Sequence, residues 1–209
     1  MFSDRTEAGR RLAGALGHLE GEDVVILGVP RGGVEVAAEV ARGHGWPLDI
    51  VIPRKVGAPM NPELGLGAVA PGVRVLDERM IQQLGVGPDY LEREIAAQEE
   101  EIRRRTEAYR KGREAVEVSG KVAVVVDDGV ATGGTAAAAL RWARAQGASR
   151  VVLAIPVAPR EAITRLSKEA DQVVCLATPD PFFAVGQWYE AFPQTSDREV
   201  VDLLEKASA

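Results

Sequence analysis

Five short aliphatic, β-branched runs recur along the chain, separated by stretches in which apolar residues repeat at helical spacing. The first, DVVILGV (Asp23–Val29), lacks internal polar alternation and reads as a strand covered on both faces. From Gly33 to His44 the period changes. Val36, Ala37, Val40 and Ala41 fall on one helical face, and Gly43 and Gly45 end the element. LDIVIP (Leu48–Pro53) predicts a second strand, KVAVVVDD (Lys121–Asp128) a third, and Arg150–Val157 and Gln172–Leu176 the last two. Helices are predicted over Gly134–Gln146, stopped by Gly147, and over Arg160–Glu169. This alternation predicts an α/β fold: a doubly wound, mainly parallel central sheet flanked by helices, with right-handed crossovers. The 209 residues suit one domain over 1–209.

Two segments break the rhythm. Residues 57–120 hold a turn-rich stretch, GAPMNPELGLGAVAPG, that predicts a loop or short hairpin, and then a long polar helix over Pro88–Lys111. Within that helix Glu99–Arg103, Glu100–Arg104 and Glu101–Arg105 stand in the favourable i,i+4 order. Leu91, Ile95, Ile102 and Tyr109 form only a thin apolar stripe, so a solvent-exposed helix is expected. The second departure is the tail, residues 178–209, expected to form a small C-terminal hood or lobe. It carries Phe182, Phe183, Trp188, Tyr189 and Phe192.

Composition narrows the function classes. A net charge of −6 and a pI near 5.1 argue against a general binder of nucleic acid or anionic membrane, while leaving room for a local basic pocket. The longest apolar runs, Val122–Val126 and Val151–Val157, are far short of a membrane span. The first residues lack the apolar core of a signal peptide, and a cytoplasmic location is expected. The single cysteine, Cys175, leaves no intrachain disulfide or Cys-rich metal site and reads as inert core. His18 and His44, near helix ends, read as surface residues. GLGAVA (Gly65–Ala70) has dinucleotide-fingerprint spacing, but PMNPE precedes it where a strand is required.

The chemistry concentrates in VVVDDGVATGGT (Val124–Thr135). An apolar strand delivers Asp127 and Asp128 to its carboxyl end, where ligands bind in open α/β sheets. A turn then opens a helix, offering the N–H groups of Ala131, Thr132, Gly133, Gly134 and Thr135 and two threonine hydroxyls. This combination holds a phosphate monoester without a lysine. Carboxylates beside phosphate repel it, so they must face another part of the ligand, such as vicinal hydroxyls. The residues alone therefore point to a sugar phosphate. A well-capped helix after a strand is the plainer account, but capping requires neither two acids nor two glycines.

Val124–Thr135 resembles the phosphoribosyl pyrophosphate (PRPP) motif of type I phosphoribosyltransferases over twelve consecutive positions. The resemblance implies that Asp127 and Asp128 bind the ribose 2′- and 3′-hydroxyls as catalytic residues. It implies that Ala131–Thr135 wrap the 5-phosphate. GVPRGGVEVA (Gly28–Ala37) resembles the family's first loop, which makes Arg31, Gly32 and Gly33 pyrophosphate contacts. PRKVGAP (Pro53–Pro59) resembles its Arg-Lys segment, with Lys55 the pyrophosphate contact ahead of Arg54. Read without the family, the plainer accounts are a βα turn for Arg31–Gly33, the less favoured reading there, and a surface lysine for Lys55.

Further implications are Mg²⁺ as cofactor, touched by Asp127 and Asp128 through ribose hydroxyls or water, and transfer through an oxocarbenium-like transition state to a small-molecule acceptor, a base nitrogen. A homodimer is a candidate assembly; nucleic acid and membrane are not expected partners. Phe182, Phe183 and Trp188 are candidates for stacking on the acceptor, against packing or a subunit interface. The family's closing loop has no recognisable counterpart, although Arg103–Arg105, Arg110, Lys111 and Arg113 lie in that interval. Two other functions remain open at this point: a PRPP- or nucleotide-binding regulator without turnover, and a sugar-phosphate or nucleotide hydrolase.

Overall fold

The uninterrupted apolar strands are buried from end to end because helices cover both of their faces. The computed structural model describes residues 1–207, the side chain of Glu63 excepted. In chain order its elements are α1 (Arg5–Ala15), β1 (Val24–Gly28), α2 (Gly32–His44), β2 (Leu48–Ile50), β3 (Arg54–Ala58), β4 (Asn61–Ala70) and β5 (Val73–Leu76). There follow α3 (Glu78–Gln83), α4 (Pro88–Arg110), β6 (Val122–Val126), α5 (Gly134–Ala145), β7 (Arg150–Val157), α6 (Arg160–Leu166), β8 (Gln172–Ala177) and α7 (Asp197–Lys206). Five strands form a parallel sheet in the order β2-β1-β6-β7-β8.

Successive side chains of a strand point to opposite faces, and the two cores follow that period. Val24, Ile26, Val122, Val124, Val126, Val152 and Ala154 pack with Leu12 of α1, Val36 and Val40 of α2 and Leu204 of α7. Their neighbours Val25, Leu27, Ala123, Val125, Val151, Leu153 and Ile155 pack with Ala139 and Leu140 of α5 and Leu166 of α6. Each fully buried aliphatic side chain of this kind contributes about 1.5–3 kcal/mol. The predicted doubly wound sheet is the observed one, with β2 ending three residues early, before Pro53.

The turn-rich stretch is more ordered than its composition indicates. Residues 54–76 form a three-stranded antiparallel sheet, β3-β4-β5, set between α4 and α5. Pro62, Gly65 and Gly67 weaken strand propensity along β4, so the sequence reads as turns. Ladder hydrogen bonds and the packing of Ala68 and Ala70 on Ala138 and Trp142 override it.

Helix α4 is likewise not merely solvated: Ile95, Ile102 and Tyr109 are fully buried, against β3, β4 and α7. Only Glu101–Arg105 keeps the predicted i,i+4 pairing, at 2.6 Å. Arg103 and Arg104 pair at i,i+3 instead, with Glu100 and Glu101, and Glu99 bonds Arg74 of β5 at 3.3 Å. His44 is also packed rather than at the surface, its Nε2 2.9 Å from the Ala13 carbonyl and its ring stacked on Trp46. Cys175 is half-buried on β8, and burial pushes its thiol pKa up.

The tail closes the structure on the chain's own start. Phe2 N donates to the Trp188 carbonyl at 2.8 Å, Glu190 N to the Phe2 carbonyl at 2.8 Å, and Ala191 N to the Ser3 carbonyl at 2.9 Å. Helix α7, begun by a Ser196–Glu199 capping box, packs on α2 and α4. Residues 208 and 209 of the expected hood lie outside the described residues.

Candidate functional site

Strand order reverses between β1 and β6, since β2 lies to one side of β1 and β6 to the other. A crevice outside the carboxyl ends of two such strands is the ligand site of open α/β folds. The β1–α2 loop and the Asp127–Thr135 segment meet there.

β6 ends at Val126 and presents Asp127 and Asp128 at once; Asp128 N donates to Asp127 Oδ1 at 2.9 Å. The chain turns into α5 through Gly133, the N-cap, whose φ of 81° lies in the left-handed region that favours glycine. Gly133 offers no side chain, so no side-chain cap meets the first-turn N–H groups of α5. Those groups, with the exposed Thr132 and half-buried Thr135 beside them, leave an uncapped helix terminus, the kind of backbone end that suits an anion.

On the other side of the crevice, Val29–Arg31 lead from β1 into α2, with a cis peptide between Pro30 and Arg31. Both glycines that follow are required by close approach. A methyl group on Gly33 would sit 2.8 Å from Asp127 Cα and 2.8 Å from Asp127 Oδ1. One on Gly32 would overlap Asp128 Oδ2 and lie 2.7 Å from Arg5 Nε. The two predicted loops are thus one continuous surface, a juxtaposition that neither motif shows by itself.

Arg5, from α1, is 5% exposed and donates through Nε to Asp128 Oδ2 at 2.8 Å and through Nη1 to the Pro193 carbonyl at 2.7 Å. Its guanidinium lies 3.8 Å from the Phe192 ring centroid. The Tyr189 hydroxyl donates to the Asp128 carbonyl at 2.6 Å. Burial raises the pKa of Asp127 well above the carboxylate range, and the adjacent Asp128 charge raises it further. Asp128 is raised by burial too, opposed by its hydrogen bond to Arg5. Arg31 ion-pairs at 3.6 Å with Asp197 of α7, which also accepts from the Tyr109 hydroxyl at 2.7 Å. A cavity of about 350 Å³ opens between Arg5, Arg31, Gly32 and Phe192–Thr195. A larger one, about 720 Å³ between α4, Trp142 and the 115–119 segment, is lined by Arg103 and Arg110 but by none of the residues expected to contact PRPP.

The other predicted residues stand on other elements. Lys55 and Arg54 stand on β3 rather than in a loop, Arg54 bonded to Gln98 of α4 at 2.9 Å. Phe182 and Trp188 are half-buried against the Phe2–Tyr189 cluster, whereas Phe183 is 76% exposed. Arg110 is tied to Asp49, Lys111 to Glu205, and Arg103–Arg105 to acids of their own helix. Sequence reasoning missed Arg5, Asp197 and the Tyr189 hydroxyl. The Ser196-x-x-Glu199 spacing could have revealed α7, but no local pattern marks Arg5.

Comparison with known proteins gives a consistent picture. The model of the phosphoribosyl transferase domain matches residues 5–190. A Mycobacterium tuberculosis protein, provisionally named a phosphoribosyl transferase in each of two strains, is 49% identical over 208 residues, 99% of this chain. The chain spans 47% of the length of these curated relatives. The crystal structure of TT1426 from Thermus thermophilus is 47% identical and superposes with a TM-score of 0.84, covering 99% of this chain and 98% of that one. A hypoxanthine phosphoribosyltransferase of Staphylococcus aureus, 11% identical, shares the fold with a TM-score of 0.50 over 85% of this chain and 76% of its own.

Proposed function

The chain belongs to the phosphoribosyl transferase domain family, and from that premise we propose that it transfers the 5-phosphoribosyl group of PRPP to a small nitrogenous acceptor, releasing pyrophosphate. The observation that carries this reading is the contact of Gly32 and Gly33 with Asp128 and Asp127. It brings the acid pair, the first glycine loop and an uncapped helix terminus to one crevice. The ligand best matched to that triad is a pentose phosphorylated at both ends.

In this reading Asp127 and Asp128 accept hydrogen bonds from the ribose 2′- and 3′-hydroxyls. Ala131–Thr135 hold the 5-phosphate on the α5 N-terminus, and Arg31, the first-loop backbone and Lys55 hold the pyrophosphate. The C1–O bond breaks with its electron pair leaving on pyrophosphate. The acceptor's lone pair forms the C1–N bond, and its proton passes to solvent. Positioning and charge stabilisation lower the barrier. Phe183, 76% exposed in the segment that follows β8, is the residue proposed to stack on an acceptor.

Among the described residues no group of three or more His, Cys, Asp or Glu is arranged to hold a metal. Two adjacent carboxylates fit Mg²⁺ reached through ribose hydroxyls or water, since that ion keeps several waters and prefers phosphate oxygens. When bound, it would neutralise charge on the departing pyrophosphate.

The test follows pyrophosphate release from PRPP with Mg²⁺ across a panel of bases and amines. Acceptor-dependent release is expected, and the Asp127→Asn/Asp128→Asn double variant should abolish it. Acceptor-independent release would establish a hydrolase, and binding without release a regulator. Normal turnover by the double variant would place the site elsewhere.

A further inference from the structure

Resting on the reading above, we propose that Arg5 is a positioning residue for the ribose-binding acids: it fixes the Asp128 carboxylate and thereby sets the affinity of the site for the ribose of PRPP. The two residues are 123 positions apart and belong to different layers, α1 and the end of β6. Arginine is almost never buried unless paired, and here the pairing is directional. Nε meets Asp128 Oδ2 at 2.8 Å, Nη1 meets the Pro193 carbonyl at 2.7 Å, and Glu35 lies 3.7 Å away. The Phe192 ring covers the guanidinium, and Gly32 has no side chain that would intrude. The planar fork is therefore held at several points, and it holds one carboxylate oxygen in turn.

A purely structural contact at this place would not require an ion. Burying a guanidinium carries a large desolvation cost, and a well-packed apolar residue avoids it. The charge makes sense beside a site that concentrates two carboxylates next to a polyphosphate. Arg5 places one positive charge on the acid that must accept hydrogen bonds and leaves Asp127, held by the Asp128 N–H, as its partner. Its hydrogen bonds go to Asp128 and to the Pro193 carbonyl of the tail, so its hold on Asp128 acts at the ribose end, while the guanidinium also borders the cavity beside Arg31 and Gly32.

Isothermal titration with PRPP and Mg²⁺, and separately with inorganic pyrophosphate, tests this on the full chain and on Arg5→Gln and Arg5→Lys. Arg5→Gln should weaken PRPP at least tenfold and change pyrophosphate, which has no hydroxyls, less than threefold. Arg5→Lys keeps the charge toward Asp128 but cannot also hold Pro193, and should recover part of the PRPP affinity. Thermal melting without ligand separates lost fold from lost function. If Arg5→Gln does not fold, Arg5→Lys carries the same test with a smaller, still ribose-selective loss. Equal weakening of both ligands, or wild-type affinity for PRPP, overturns the role of Arg5 alone. A wild-type chain that fails to bind PRPP overturns the proposed function itself.

Discussion

Replacing Gly33 by alanine tests the join between the two halves of the site. Gly33 has ordinary helical geometry in the first turn of α2, where Gly→Ala by itself stabilises by about 0.4–1 kcal/mol through the unfolded chain. The structure reverses the sign. The new methyl would sit 2.8 Å from Asp127 Cα and 3.0 Å from the Val126 carbonyl oxygen, both backbone atoms with no side-chain freedom to yield. Restoring carbon contact distances requires a shift of about 1 Å. Overpacking of that kind costs about 1–3 kcal/mol. The net is about 1–2 kcal/mol of destabilisation, or about 2–8 °C in melting temperature for a chain of this size. The same shift separates the first loop from Asp127, and misplacement on that scale weakens function by roughly a hundredfold. Gly14→Ala is the internal control. Gly14 is an exposed α1 residue whose added methyl meets nothing within 4 Å, so it should raise the melting temperature. Differential scanning calorimetry and PRPP titration on both variants decide the matter. If Gly33→Ala melts at or above wild type and binds PRPP unchanged, the two loops do not form one surface.

Asp49→Ala removes a buried carboxylate that accepts from Arg110, from Val116 N at 2.9 Å and from Ile50 N at 2.8 Å. The loss is about 3 kcal/mol, the lower end for a broken buried pair because Arg110 retains some solvent, and it should appear as a lower urea midpoint. Tyr109, buried and hydrogen-bonded to Asp197, has its phenol pKa pushed up to about 12. The folded state therefore binds the extra proton between about pH 10 and 12, so the stability from this contact is complete below pH 10 and lost as pH rises through about 12. A 295 nm titration should show no Tyr109 ionisation at pH 10.5, and Tyr109→Phe should remove a high-pH component. Phe183→Ala exposes no core and should leave stability within about 0.5 kcal/mol. Steady-state kinetics should show a raised KM for the acceptor, with PRPP affinity unchanged.

The central sheet was legible because its signal is local and repeated. A strand buried on both faces must be apolar throughout, and β1, β6 and residues 151–157 of β7 are. The small sheet was not legible, because β4 contains Pro62, Gly65 and Gly67, whose turn preferences oppose strand formation. There the decisive terms are pairing with β3 and β5 and contact with α5, neither of which has a pattern along the chain. The charge pairs on α4 misled for a similar reason. Long side chains on one helix have several partners of nearly equal energy, and Arg74 of β5, a residue from another element, drew Glu99 away.

The site divides along the same physical line. Its backbone-built parts are readable, because a glycine-rich turn at a strand end needs particular residues in order, as Gly133 at its positive φ illustrates. Its side-chain-built parts depend on what the fold brings near. Arg5 reaches Asp128 only because α1 packs against α2, β7 and β8 while the tail returns along Phe2 and Ser3. An arginine near a chain start carries no sign of this, since its burial and its partners are properties of the assembled structure. The acceptor end lies further along this scale. Of the tail's aromatics, Tyr189 and Phe192 are engaged by Asp128 and Arg5 and Trp188 is half-buried, while Phe183 projects outward. An aromatic that packs and an aromatic that binds are the same letter in the sequence; exposure distinguishes them, and among these residues Phe183 combines a large apolar face with exposure in the segment that follows β8.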